Sequence, residues 1–354
     1  MPNISNEILI YGAYGYTGEL IARHALERGL RPTLAGRDAS KTRALADELD
    51  LPHRVFALDQ RPAIVAGLEG MGVVIHCAGP FAQTSRPMVD ACLVAKTHYL
   101  DITGEMTVFE RCAAKTDAAR SAGIMVMPGA GFDVVPSDCL AAHLKRRLPS
   151  ADHLQLAFRG LGGGLSHGTA TTMVQNLGSP NFIRKDGVLT PVPMGAHTRM
   201  VDFGRGPTHC MAIAWGDIST AWYSTKIPNI EVYVPVSKTA TLAARVVDKL
   251  PWLVGSKWVK QLAQRRVDAG PAGPSAEARA RGRSILWGRV SDGEGEAAEA
   301  RLETPDGYTL TMLSAVAIAE RVIAGELEPG FQTPSMAYGP DFILGIDGTA
   351  REDL

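Results

Sequence analysis

The sequence predicts an α/β protein: a doubly wound parallel sheet first, then a second α+β domain on an open, mainly antiparallel sheet. Three observations support this. Apolar runs such as "ILI" (8–10) and "GVVI" (72–75) lack polar alternation, as strands buried on both faces do. Helical patterns separate such runs over roughly the first 145 residues. Beyond "PSAD" (149–152), strand-like segments follow one another without a helix between each pair.

The first strand runs into Gly12, Gly15 and Gly18, and a helix follows with Leu20, Ile21, Ala25 and Leu26 at helical spacing. A glycine turn between buried strand and helix leaves backbone N–H groups and the helix dipole facing a phosphate or pyrophosphate. Gly12, Tyr14, Gly15, Tyr16, Thr17 and Gly18 are therefore candidate dinucleotide contacts. The spacing is G-x-x-G-x-x-G, and a tight turn needing positive φ would look similar.

Cofactor choice is read after the second strand, in "TLAGRDASK". An NAD site usually places a carboxylate there, for the ribose 2′-hydroxyl. This chain has Gly36 and Arg37 instead, and Arg37 with Lys41 suits a 2′-phosphate. Asp38 would oppose that phosphate unless it caps the helix starting near Ser40 and turns away. The expectation is NADP(H).

Strand "RVFALD" (54–59) is expected to end at Asp59, placed to meet an adenine amino group. A short helix over 61–70 follows, then strand 72–79, helix "PMVDACLVAK", strand and loop "HYLDITG", helix "FERCAAKTDAARSAG", "IMVMPGAGFD" (124–133) and helix "SDCLAAHLKRRL". Ligands on such sheets bind beyond the carboxyl ends of the strands. Cys77, Ala78, Gly79, Pro80 and Phe81 lie there as candidate contacts to ribose and nicotinamide, or as a plain rigid turn. Asp101, Thr103 and Glu105 share that edge, with capping or a buried ion pair as their other uses. Phe132 could pack on the nicotinamide or in the core, and Asp133 is expected at a crevice between domains, as a catalytic candidate.

In the second half, "HLQLAFRG", "THCMAIAWGD", "NIEVYVP", "SILWGRVSD" and "AAEARLETP" read as strands, covered by helices 169–177 and 310–325. Residues 267–283 read as an exposed loop. "GLSHG" (164–168) matches G-x-S-x-G, but glycines separate it from the strand, so Ser166 is a poor nucleophile elbow. His167, entering helix 169–177, is a candidate proton donor, as is Tyr223. No Y-x-x-x-K occurs, and Tyr223 lies in a stretch read as a loop, which disfavours a short-chain reductase mechanism. Residues 241–263 mix Leu, Val and two Trp with Lys; they suit weak contact with a membrane surface or an acyl chain, or a helix pair broken at Pro251 with one core-facing side.

The 354 residues carry 36 Lys+Arg against 37 Asp+Glu, net −1, with no broad basic field for nucleic acid. No signal peptide or membrane-spanning stretch is read. Five cysteines (77, 92, 112, 139 and 210) lack C-x-x-C spacing, so free thiols in a reducing cytoplasm and no metal site are expected. The domains are expected at 1–148, 149–310 and 311–354, the last a helix and tail returning to the first.

"GAYGYTGELIAR", "AGRDASK", "HCAGPF", "HYLDITGE", "PGAGFDVVPSD", "TPDGYTLT" and "TPSMAYGPDFI" together resemble the saccharopine dehydrogenase-like oxidoreductases, most of all their trans-acting enoyl reductase branch. The resemblance spans nearly the whole chain; loops 160–168 and 178–206 fit least. It implies a Rossmann domain, a second α/β domain, NADPH and often a homodimer. It implies reduction of C=C or C=N bonds but not a substrate, since members act on amino-acid-derived imines or lipid enoyl groups. An NADPH sensor without turnover is the alternative, distinguished by NADPH oxidation with a substrate panel.

Overall fold

The computed structural model describes residues 5–162, 164, 166–250, 252 and 255–354. Contacts divide it into two compact units, Met1–Val135 with Tyr308–Ala337 and Pro136–Gly307 with Tyr338–Leu354.

The first unit holds a seven-stranded sheet. Its strands are β1 (Ile8–Tyr11), β2 (Thr33–Gly36), β3 (His53–Val55), β4 (Val73–His76), β5 (His98–Asp101), β6 (Met125–Met127) and, returning late in the chain, the two-residue Gly330–Phe331. Every neighbouring pair is parallel, in the order β3-β2-β1-β4-β5-β6 and then Gly330–Phe331. Strands β1, β2, β4, β5 and β6 are buried throughout, as their unalternating apolar runs require. Strand order reverses between β1 and β4, which makes the carboxyl ends of that pair the place where a ligand fits.

Three local elements differ from the sequence expectation. Strand β3 stops at Val55, because Phe56 turns in to bond Gly36 O and pack against Gly67, so Asp59 lies in a bend beyond it. "FERCAAKTDAARSAG" is two helices, Met106–Ala113 and Thr116–Ala122. They part where Thr116 Oγ1 accepts the Phe331 N–H at 3.0 Å. Helix Phe81–Ala95 starts well before Pro87, which the register accommodates inside it.

The second unit is a nine-stranded sheet, antiparallel except where His153–Leu161 runs parallel to Asn229–Pro235. One face gathers Ala157, Phe203, Cys210, Tyr233 and Trp287. On the other, Gly288 lies under Leu140 and Leu144 of helix Val135–Arg147, leaving no space for a side chain. That contact draws the helix into this unit, so the boundary falls at 135/136 rather than 148. Residues 178–206, loops by the sequence expectation, carry three strands: Asn181–Lys185, Val188–Val192 and Thr198–Asp202. Asp186 and Gly187, with φ of 50° and 77°, form the two-residue turn between the first two, a D-G hairpin signal in the sequence. Residues 276–281 of the expected loop are helical.

Candidate functional site: the glycine turn and the edge of the parallel sheet

Gly12 has φ of +81°, and a Cβ on it would sit 2.9 Å from both the Cβ and the backbone N of Ala78. The loops after β1 and β4 therefore touch backbone to backbone at the point of strand reversal. A Cβ on Gly18 would fall 2.4 Å from Gly12 O, so this glycine serves the turn's packing. Gly15 differs: it is exposed, with φ of −77°, and its imagined Cβ stands 3.2 Å from Gly12 O. It precedes helix Tyr16–Glu27, which no side chain caps, so its first-turn N–H groups can receive an anion. Tyr16 stacks edge-on against Tyr308, their centroids 5.2 Å apart, and Thr17 is partly buried in that first turn.

At the end of β2, Asp38 accepts the Lys41 N–H at 3.0 Å and caps helix Ala39–Leu49, as the sequence reading required. Its carboxylate is thereby turned onto the helix. Tyr14 lies across Gly36, whose Cβ would meet the ring at 2.4 Å, and Lys41 Nζ stands 5.9 Å from the Tyr14 centroid. Arg37 and Lys41 are exposed, and no ion pair engages either among the described residues. Asp59 and Arg37 both act on Tyr11, whose phenol is pushed up to about 12, chiefly by burial.

The loop after β4 is built on a buried histidine. Thr84 Oγ1 donates to Ala78 O at 2.6 Å, so its contact with His76 Nε2 at 3.0 Å makes that nitrogen the donor. Burial pushes His76 down to about 3 and keeps it neutral. Glu105 accepts the N–H groups of Phe81 and Ala82, both at 2.9 Å, and so closes the start of helix Phe81–Ala95. Cys77, Ala78, Pro80 and Phe81 are partly buried and Gly79 is exposed, a loop open to a ligand. Burial raises the Cys77 thiol well above its usual range. All five cysteines are free, and no metal-binding cluster occurs among the described residues.

The Asp101 carboxylate is fully buried and accepts from Tyr99 (2.6 Å), Thr103 (3.0 Å) and Gly129 (2.9 Å). It ties the ends of β5 and β6 together, and burial pushes it up to about 6. Its side chain is thus engaged by the protein, in the capping use the sequence reading left open. Asp133 is partly buried against Gly104, where a Cβ would meet its Oδ2 at 2.8 Å. Burial alone pushes Asp133 up to about 7. The 129–134 loop is fixed by residues the sequence reading missed: Thr311 Oγ1 accepts the Phe132 N–H at 2.9 Å, and Ser314 Oγ donates to Ala130 O at 2.8 Å. The signal was present as two hydroxyls at i, i+3 on helix Gly307–Ile323.

His167 and Tyr223 stand on the second unit. His167 opens helix His167–Gln175 and its Nε2 pairs with Asp268 at 3.0 Å. Ser166 caps that helix, accepting the Thr169 N–H at 3.2 Å; Leu165, also in the G-x-S-x-G match, lies outside the described residues, as does Gly163. Ser166→Ala should cost about 1 kcal/mol of stability and nothing more. Intact mass after treatment with a serine-directed phosphonate should show no adduct on the wild type. Tyr223 lies on helix Asp217–Thr225, not in a loop; Lys226 ends that helix with φ of 59° and puts its ammonium 5.6 Å from the Tyr223 ring centroid, over the face.

Residues 8–127 match the family model of the saccharopine dehydrogenase NADP binding domain. This segment is similar to saccharopine dehydrogenase NADP-binding domains. The glycine turn and the Arg37–Lys41 pair both lie within this matched segment. A trans-acting enoyl reductase of Mycobacterium ulcerans is 34% identical over 152 residues, 40% of this chain and 36% of that protein. The match thus spans little more than a third of that relative. Apo saccharopine dehydrogenase (L-Glu forming) from Saccharomyces cerevisiae shares the fold across 98% of this chain and 99% of its own, with TM-score 0.67 and 14% identity. Homospermidine synthase from Legionella pneumophila, in complex with NAD, does so over 99% and 91%, with TM-score 0.65 and 10% identity. These likenesses are of fold alone. No helix among the described residues is long and apolar enough to cross a membrane.

Proposed function

We propose that this protein is an NADPH-dependent oxidoreductase that reduces a C=C or C=N bond of a small or lipid-like substrate. The observation that carries the reading is the end of β2: two unpaired cations at Arg37 and Lys41, with Asp38 turned onto its helix. The enoyl reductase name of its mycobacterial relative supports an acyl substrate. Five free thiols support a cytoplasmic setting, and the family resemblance supports a homodimer.

Strand order lays the site out in sequence. Arg37 and Lys41 would hold the 2′-phosphate beyond β2, and the Gly12–Gly18 turn the pyrophosphate beyond β1. Cys77–Phe81 would border the nicotinamide beyond β4, with Phe132 alongside. From β2 to β4 is two strand steps, about 10 Å, a span an extended dinucleotide can follow. Bound NADPH supplies the hydride, from C4 of its nicotinamide. The chain supplies position and a proton. Asp133 is the proton donor in this reading, because its buried carboxyl holds a proton near neutrality and it lies beyond β6 on the same edge. His167 and Tyr223 remain donors to be tested by the same substitutions.

Arg37→Ala tests the reading directly. Loss of a charge-assisted pair to phosphate removes roughly 1.5–3 kcal/mol, so Kd for NADPH should rise about 10- to 150-fold. The NADH affinity should stay nearly constant, measured by nucleotide fluorescence titration. Identical NADPH curves for variant and wild type would sink the assignment.

A further inference from the structure

The second unit carries a surface that its own fold leaves uncovered. Helix Lys238–Val247 buries only Thr241, and helices His167–Gln175 and Lys257–Asp268 bury no residue. The latter two pack together: Lys260 Nζ donates to Gln175 O at 2.6 Å and Gln264 Nε2 to Thr171 Oγ1 at 3.0 Å. Those contacts set which side of Lys257–Asp268 faces inward. At 3.6 residues per turn, Trp258, Leu262, Arg265 and Arg266 then share the outward side, and all four are exposed. Trp258 is 69% exposed and Trp252 is 72% exposed. On the preceding helix, Leu242 and Val246, one turn apart, are also exposed and lie away from the buried Thr241.

The charge around these side chains is one-sided. Between Lys238 and Arg266 stand seven cations (238, 245, 249, 257, 260, 265 and 266) and one acid, Asp248, in a chain of net charge −1. No ion pair engages any of the seven among the described residues. Lys260 and Arg245 bond to backbone carbonyls, which keeps their charge uncompensated. Indoles and leucines in a rim of cations match the boundary of an anionic bilayer, where an indole is half wet and a cation meets phosphate. Pairing with a second copy would set these cations against one another.

We propose that this surface docks on anionic phospholipid, with Trp252, Trp258 and Leu262 entering the headgroup–acyl boundary and Arg265 and Arg266 meeting lipid phosphates. Pro251, Leu253 and Val254, within the stretch 241–263, lie outside the described residues. The position of an acyl substrate in the bilayer gives such docking a use. The proposal stands on this surface alone and is independent of cofactor choice.

The test is co-sedimentation of the full chain with phosphatidylcholine vesicles, with and without about one-third phosphatidylglycerol, alongside tryptophan fluorescence. Binding with a blue shift is expected only on the anionic vesicles. Arg265→Gln with Arg266→Gln should weaken it about thirty-fold, and Trp252→Ser with Trp258→Ser should remove the blue shift. Both double variants should keep wild-type circular dichroism and NADPH titrations, since none of these side chains is buried. Equal binding to neutral vesicles, or wild-type binding by the double variants, would overturn the proposal. So would a dimer in light scattering that the tryptophan variant dissociates, because it would assign the surface to a second copy.

Discussion

Asp133→Asn should lower kcat for NADPH-dependent reduction by about 10²- to 10⁴-fold, the range for loss of a positioned general acid. Asparagine keeps the shape and can donate a hydrogen bond, but it has no proton to transfer. The wild-type rate should fall as pH rises through about 7, where the Asp133 carboxyl loses its proton. The Asn variant should show no such limb. Stability carries the same signature with a defined sign. Burial raises this carboxyl from its ordinary acidic range to about 7, so between those values the folded chain holds a proton that the unfolded chain has released. The contribution therefore stabilises at low pH and is lost as pH rises through about 7. Melting temperature against pH should decline less steeply in Asp133→Asn than in wild type. A variant with wild-type kcat and an unchanged pH profile would remove Asp133 from the reaction and leave His167 and Tyr223 as the donors to substitute.

Gly15→Val should abolish measurable NADPH binding while leaving the apo protein folded. The three glycines of the turn are not equivalent in this respect. Gly12 has positive φ and abuts Ala78, and Gly18 abuts Gly12 O, so substitution at either strains the backbone itself. At Gly15 the backbone suits any residue and the nearest atom, Gly12 O, stands 3.2 Å from an added Cβ. The branched side chain would instead occupy the mouth of the helix N-terminus, where a pyrophosphate must approach the N–H groups. Thermal unfolding without nucleotide should shift by only a few degrees, the equivalent of about 1 kcal/mol. Isothermal titration with NADPH should give no heat of binding. Retained affinity would place the dinucleotide elsewhere on the chain.

The first sheet and its cofactor were legible because the information is local. A strand buried on both faces announces itself by an unbroken apolar run, and the turn after it by glycines that backbone geometry demands. Arg37, Lys41 and the capping role of Asp38 follow from neighbours within five positions. Missed features had two kinds of cause. The hairpin at Asp186–Gly187 carried a turn signal within strands too polar and half-exposed to stand out as buried runs. The split helix at Thr116, the early end of β3 at Val55 and the reassignment of helix Val135–Arg147 depend on partners distant in sequence: Phe331, Gly67 and Gly288.

The catalytic candidates divide along the same line. Sequence by itself determined the alternation of buried strands and helices in the first unit, the glycine turn and the cations at the end of β2, since each is written in residues a few positions apart. Only the tertiary structure decided the surroundings of Asp101, Ser166 and Asp133, and a carboxyl or hydroxyl takes its character from what surrounds it. Asp101 is enclosed by three donors and becomes a tie between strands, and Ser166 meets Thr169 and becomes a cap. Asp133 meets Gly104 with neither donor nor cation among the described residues to offset its burial, so its proton stays on to about pH 7. Burial and partner are properties of the folded chain, and no spacing along the sequence encodes them.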